Sequence, residues 1–239
     1  MNHYLVYKMT RIMEILVKII EQIEKNNPYG LIFKGGTALS IIYLNHHRES
    51  EDLDFDADIK YLKDYKIIQK YIITLLENLK NQNIVKDYKL GKTGLASTNR
   101  YHMKIQFISY RMFQTKIDID FVVPRGKINH HGELLFYTLE RMFISKIITF
   151  TERGEFKDFI DIAYMIPKID FNVYENKNKL AELLTKLINT VDEKLLIERY
   201  NNISRNVDLK IKDLRKGEIK NLINRTFRAI RKAINILKS

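Results

Sequence analysis

The chain has 239 residues, 45% of them hydrophobic, enough to bury one large core or two small ones. It contains no cysteine, which excludes structural disulfides and thiolate zinc sites, and no uncharged apolar run approaches the length of a membrane span. The net charge of +12 is uneven: residues 194–239 hold 13 Lys and Arg against 4 Asp and Glu, a net +9, whereas the first 193 residues hold 28 against 25. A basic C-terminal stretch on a nearly neutral body points to an anionic partner, the plainer alternative being a solvated helix face. Residues 1–8 lack the basic-then-apolar pattern of a secretion signal, so a cytoplasmic protein without membrane partners is expected.

In chain order, the spacing of Ile12, Ile15, Leu16, Ile19, Ile20 and Ile23 predicts an amphipathic helix over about 8–26. Leu31, Ile32 and Phe33 read as a short buried strand running into Gly35-Gly36, followed by a helix over 37–45 with Leu39, Ile42 and Tyr43 inward. An acidic strand around Asp52–Asp58 comes next, then a long helix over about 60–80. Strands are predicted at 84–90, 101–110 and 116–123, with Gly91–Gly94 as a flexible turn. After the break at Pro124 the chain reads as helices at about 138–151, 156–166, 173–188, 192–203 and 216–238. This order argues for an α+β protein, a mixed sheet with helices over 1–130 and a helical bundle over 131–239.

The chemistry-bearing residues begin at the acidic strand. Side chains alternate along a strand, so Asp52, Asp54 and Asp56 share one face while Leu53, Phe55 and Ala57 take the other. Nothing from Glu49 to Asp58 is basic, and stacked carboxylates are stable mainly beneath a cation. The expected ion is Mg²⁺, bound by one or two carboxylates together with substrate phosphates. Lys34-Gly35-Gly36-Thr37, between strand and helix, lets backbone approach a ligand closely and aims helix-start amides at it. Gly-Gly alone is as well explained by a turn, but beside the acidic strand it becomes a triphosphate cradle.

Asp118 and Asp120 share one face of a later strand, and either supplies a third carboxylate for two-metal chemistry. Lys146 falls on the apolar stripe of its helix, where it either snorkels or reaches a phosphate; Asp158 or Asp161, one turn apart on the next helix, can orient it. His46-His47 and His130-His131 lack metal-ligand spacing and are expected at the surface. No GxxxxGK[ST] motif is present.

Taken together, Lys34-Gly-Gly-Thr-Ala-Leu, Arg48-x-Ser50-x-Asp52-x-Asp54-Phe55, Asp118, and Lys146 followed by Lys157-Asp158-x-x-Asp161 resemble the ordered motifs of the AbiEii-type nucleotidyltransferase toxins, within the polymerase-β-like superfamily. The resemblance runs from about residue 31 to 165. It implies a nucleotidyltransferase core with a helical C-terminal domain, Mg²⁺ dependence and a nucleoside triphosphate donor. It also implies an RNA acceptor, notably a tRNA 3′ end, and an antitoxin partner. Carried onto this chain, Lys34, Gly35, Gly36, Thr37, Arg48 and Ser50 would bind the nucleotide. Asp52, Asp54 and Asp118 would hold metal, Lys146 would contact phosphate, and Asp158 would be the last motif's acid. Asp56 is peripheral to that pattern.

Lys220, Arg225, Arg228, Arg231 and Lys232, off the apolar stripe of the last helix, are the expected nucleic-acid contacts. Two rivals remain: a nucleotidyltransferase with a small-molecule acceptor, such as an aminoglycoside, or a protein acceptor, and a non-catalytic nucleic-acid-binding module whose acids hold a structural ion.

Overall fold

The computed structural model describes residues 10–109, 111–206, 211 and 218–238. The expected starts of the first helix at residue 8 and the last at 216 lie outside them, as do Lys210, Lys212, Arg215 and Lys216 of the basic stretch. The fold is α+β, and it divides into two compact units. One comprises residues up to Ile42 together with Glu49–Thr138; the other comprises Tyr43–Arg48 and Leu139 onward.

The first unit is built on a seven-stranded mixed sheet in the order β3-β4-β5-β2-β1-β7-β6. Its strands are β1 (Ile32–Lys34), β2 (Leu53–Asp58), β3 (Asp87–Ser97), β4 (Arg100–Ile108), β5 (Met112–Val122), β6 (Ile128–His131) and β7 (Leu134–Tyr137). β1 runs antiparallel to β2 and parallel to β7, and β2 runs parallel to β5. Helix α1 (Arg11–Lys25) packs on α3 (Tyr65–Asn81) and on β7. The α1 stripe Ile12, Met13, Ile15, Leu16, Ile19, Ile20 and Ile23 is buried throughout, as its period requires.

Strand alternation sorts the sheet into two chemically distinct faces. Phe33, Phe55, Ile119 and Tyr101 form one cross-strand row, all fully buried, with the Phe33 and Phe55 rings 5.3 Å apart and Tyr65 of α3 on Tyr101 at 5.6 Å. The opposite face carries Lys34, Asp54, Asp118 and His102 in one row, and Asp56, Asp120 and Arg100 in the next. Apolar residues on one face and charges on the other fix the register, because a one-residue slip would exchange them.

Three local expectations differ. The helix expected at 37–45 is a short α-turn, α2 (Gly35–Ala38), continued as a π-helical turn over Leu39–Tyr43, and Ile42 and Tyr43 are only half-buried. Gly91–Gly94 is not a turn but part of β3, whose pairing to β4 shifts register between Leu90 and Thr93; the glycines accommodate that bulge. The segment after Pro124, expected to lead only into helices, forms the β6–β7 hairpin, with Gly132 at φ +55° in the tight turn.

The second unit is helical: α4 (Leu139–Arg153), α5 (Phe156–Met165), α6 (Lys177–Thr190), α7 (Glu193–Asn206) and α8 (Ile219–Lys238). Helix α5 is the central one, with eight of its ten residues buried, and it packs against α4, α7 and α8. Phe150, Phe156 and Phe227 surround Phe159 with ring centroids 5.8–6.2 Å away. Among the described residues, no helix is long and apolar enough to cross a membrane.

Candidate active site

The polar sheet face concentrates charge because β2 and β5 lie side by side in parallel register. Asp54 stands opposite Asp118, and Asp56 opposite Asp120. Register alone brings four carboxylates onto adjoining positions, and the fold answers each row with its own cations.

The Asp56–Asp120 row is closed. The Lys34 ammonium bridges the two, at 2.7 Å from Asp120 Oδ2 and bonded to Asp56 Oδ1. Arg100 forks onto Asp120 through Nε (2.5 Å) and a terminal nitrogen (2.9 Å), and the Tyr137 hydroxyl donates to Asp56 Oδ2 at 2.6 Å. Burial alone would lower the Lys34 pKa, but the two carboxylates overcome it and hold it above the ordinary lysine value. Burial likewise works against the charged form of Asp120, yet Arg100 and Lys34 keep its pKa below the usual carboxylate range. Asp56 is therefore a buried structural anchor of this face.

The Asp54–Asp118 row is open by comparison. Burial, and then the charges of Asp118 and Asp52, push the Asp54 pKa up, against the opposing pull of Lys34 and Lys116. His102 Nδ1 lies 2.5 Å from Asp118 Oδ1, and Lys116 lies 3.2 Å from Asp118 Oδ2 and 3.5 Å from Asp52 Oδ2. His102 and Lys116 are site residues that the sequence reading missed. Their signal was present in the β4 and β5 alternation, but it becomes legible only with the register Asp118↔His102.

The glycine turn sits directly over Asp54. Gly35 has φ +79°, and a Cβ there would lie 2.9 Å from the Asp54 Cγ and closer still to Oδ2, so only glycine permits this approach. Lys34, extended, precedes the first helical residue and no side chain caps the turn. Thr37, fully buried, has its hydroxyl 2.8 Å from Ser50 Oγ and bonded to the Asp52 carbonyl, which ties the glycine turn to the lead-in of β2. Gly35, Gly36, Thr37, Ser50, Asp52, Asp54 and Asp118 are thus brought together within the first unit.

Asp54 and Asp118, partners in register, present carboxylate oxygens, the hard donors that divalent cations take. Among the described residues, no group of three or more His, Asp or Glu side chains is already arranged to hold an ion.

The second unit holds a separate charge cluster. Asp161, fully buried, accepts from Arg48 Nε (2.6 Å) and a terminal nitrogen (2.8 Å), from Lys146 (2.7 Å), and pairs with His47 Nε2 (2.7 Å). Asp158, also buried, holds Lys146 at 2.8 Å and the Arg153 fork at 2.7 and 2.9 Å. The segment Tyr43–Arg48 belongs to this unit, which is how Arg48 and α5 meet. Burial opposes the charge of Asp161, but Arg48 and Lys146 drive its pKa well below the usual carboxylate range. Lys146 is raised, the two aspartates outweighing burial. His47 is not a surface residue as expected: it is 1% exposed, and burial keeps its pKa below the ordinary value despite Asp161. It is buried because Arg48 and Lys146 already neutralise Asp161, so a neutral imidazole completes the cluster. His130 and His131 are exposed.

On α8, Ile219, Leu222, Ile223, Phe227, Ile230, Ile234 and Leu237 are buried, and Lys220, Arg225, Arg228, Arg231 and Lys232 are all exposed. Arg231 lies over the Phe227 ring at 5.9 Å.

A curated relative, the uncharacterized protein MJ0811 of Methanocaldococcus jannaschii, is 38% identical over 74 residues; the match takes in 30% of this chain but only 16% of that protein. Two solved structures from Helicobacter pylori share the fold. One is a candidate nucleotidyltransferase with TM-score 0.68 and 18% identity, covering 95% of each chain. The other is JHP933, with TM-score 0.67 and 17% identity, covering 94% of this chain and 91% of its own. The model of the nucleotidyl transferase AbiEii toxin family, type IV toxin–antitoxin system, matches residues 20–237, and the chain belongs to this family of nucleotidyltransferases.

Proposed function

We propose that the chain transfers a nucleotide from a nucleoside triphosphate to an RNA hydroxyl, such as a tRNA 3′ end, in the presence of Mg²⁺, and that an antitoxin partner restrains it. The observation that carries this reading is the register pair Asp54–Asp118 beneath the Gly35 turn. A glycine approach to a carboxylate row suits a triphosphate with its counter-ion, and a purely structural ion site has no use for it.

In this reading Gly35, Gly36, Thr37 and Ser50 line the triphosphate, with Lys34 setting the field behind it. Asp52, Asp54 and Asp118 hold Mg²⁺, which when bound would neutralise phosphate charge and favour ionisation of the attacking hydroxyl. Asp118, with His102 on one oxygen, is the better third carboxylate, because Asp120 is already committed to Arg100 and Lys34. The acceptor hydroxyl attacks the α-phosphorus in line and pyrophosphate leaves, so the work of the protein is positioning and charge stabilisation.

Lys146 and Asp158 are the residues that the family pattern singles out in the helical unit. Within that unit Asp158 and Asp161 preset the Lys146 ammonium as a point charge of the kind that phosphate takes. Arg48 supports it by neutralising Asp161. The two units serve as nucleotidyltransferase domain and helical domain, the latter offering the exposed arginines of α8 to nucleic acid.

The test is direct. The pure protein is incubated with each labelled triphosphate, Mg²⁺ and total RNA, and the products are separated on a gel. Label on a tRNA-sized band is expected with one triphosphate; no label with any of the four would overturn the proposal.

A further inference from the structure

The two lysines of the polar sheet face do different work. Lys34 is clamped: its ammonium bonds Asp56 and Asp120 at hydrogen-bond distance, and its side chain is 25% exposed. Lys116 is looser. It sits between Asp52 and Asp118 at 3.5 and 3.2 Å, with 39% of its side chain exposed. It therefore holds its single charge between two of the three carboxylates assigned to the metal. Lys104, its register partner on β4, carries the same charge and is exposed, so repulsion between them favours the position of Lys116 over the acids.

We propose that Lys116 is a built-in counter-ion that sits between Asp52 and Asp118, and that a divalent cation must displace it to bind. This rests on the assignment of Asp52, Asp54 and Asp118 as the metal-holding residues. Three features support displacement rather than permanent pairing. The contacts are longer than those of Lys34, the four-carbon stem is flexible, and the partly exposed side chain lets the ammonium regain water when it leaves. One resident charge would offset part of the repulsion among the three carboxylates, and a divalent ion would replace it with two charges. Lys116 is thus a positioning residue, acting on Asp52 and Asp118.

The experiment uses Mn²⁺ alone, titrated into the full chain and followed by electron paramagnetic resonance of the free ion. Lys116→Met is expected to bind Mn²⁺ about tenfold more tightly than the parent, the scale of one competing, partly screened charge. Lys116→Gln, shorter and neutral, is expected to behave likewise and serves if the Met variant does not fold. Lys116→Arg keeps the competing charge and should stay near the parent affinity. A second readout is thermal: Mn²⁺ should raise the melting temperature of Lys116→Met by more than it raises that of the parent, since only the variant lacks its own counter-charge.

Asp54→Asn separates the two possible failures. If it weakens Mn²⁺ binding while both neutral Lys116 variants bind no more tightly than the parent, the counter-ion proposal is overturned and the carboxylate assignment stands. If neither the parent nor any variant binds Mn²⁺, both are overturned.

Discussion

Asp54 on β2 and Asp118 on β5 are direct partners across two parallel strands, beneath the Gly35 turn, whose backbone closely approaches the Asp54 carboxylate. Asp56 and Asp120, one pair along, differ in being closed by Lys34, Arg100 and Tyr137. The contrast separates the acids proposed to hold metal from those paired on the sheet face. Asp54→Asn or Asp118→Asn is expected to lower labelled-nucleotide transfer by about 10³-fold or more, because charge stabilisation is the main contribution in phosphoryl chemistry. Asp120→Asn is expected to retain transfer within about tenfold while costing ~1–2 kcal/mol of stability through weakened ion pairs. Equal loss in Asp118→Asn and Asp120→Asn would show the third carboxylate to be misassigned.

The same pair has a pH signature. Burial and two neighbouring acids raise the folded-state pKa of Asp54, so ionising it opposes folding. The folded protein then binds more protons than the unfolded chain above the ordinary value of 3.8, and stability falls as pH rises through the folded value. In metal-free buffer at neutral pH, Asp54→Asn is therefore expected to melt higher than the parent although it is inactive. A lower melting temperature would remove the claim that ionised Asp54 opposes folding.

Gly35→Ala tests the close approach. The substitution places a methyl group against the Asp54 carboxylate and forces an L side chain to φ +79°. The expected cost is about 1–3 kcal/mol of stability, together with loss of triphosphate binding measured by calorimetry. A variant that binds nucleotide normally would move the cradle elsewhere.

Legibility in the sequence followed periodicity. The stripe of α1, the inward residues of α8 and the shared face of Asp54 and Asp56 all follow from spacing, while Asp52 falls just before β2 begins. What spacing does not carry is register. That Lys34 spans Asp56 and Asp120, or that Lys116 lies over Asp52, requires β1, β2 and β5 to be neighbours, and strands some sixty residues apart give no local sign of it. The β6–β7 hairpin was missed because each strand has only four residues, too few for alternation to stand out; Gly132 between them was the available cue. His47 looked like a surface residue because its reason for burial, Asp161, lies 114 positions away.

His47 and Asp161 predict a two-step loss of stability in acid. Burial holds His47 below its ordinary value of 6.5, with Arg48 and Lys146 adding to the effect and Asp161 opposing it. Stability is thus fully present above pH 6.5 and declines as pH falls through the depressed value. Asp161 and Asp158, both lowered, lose their contribution only below 3.8, in a separate window. His47→Gln, which keeps a donor for Asp161, should flatten the upper slope of melting temperature against pH and leave the lower one. Asp161→Ala strands Arg48 and Lys146 without their shared partner and is expected to cost about 3–5 kcal/mol.

The α8 arginines address the acceptor. Arg225, Arg228 and Arg231 are exposed on a helix whose other side is fully packed, so reversing them to Glu leaves the buried stripe untouched. Only Arg231 has a described ring contact, over Phe227, worth about 0.5–1 kcal/mol at an exposed site. The triple reversal is therefore expected to melt within a few degrees of the parent and to bind triphosphate normally. Its affinity for RNA should fall by at least tenfold at moderate salt, and the slope of log affinity against log salt should become shallower by roughly two to three phosphate contacts. A small-molecule acceptor predicts no change in transfer rate in the same variant. Measuring donor binding, RNA binding and transfer side by side distinguishes the two, since only an RNA-directed enzyme loses the second and third while keeping the first.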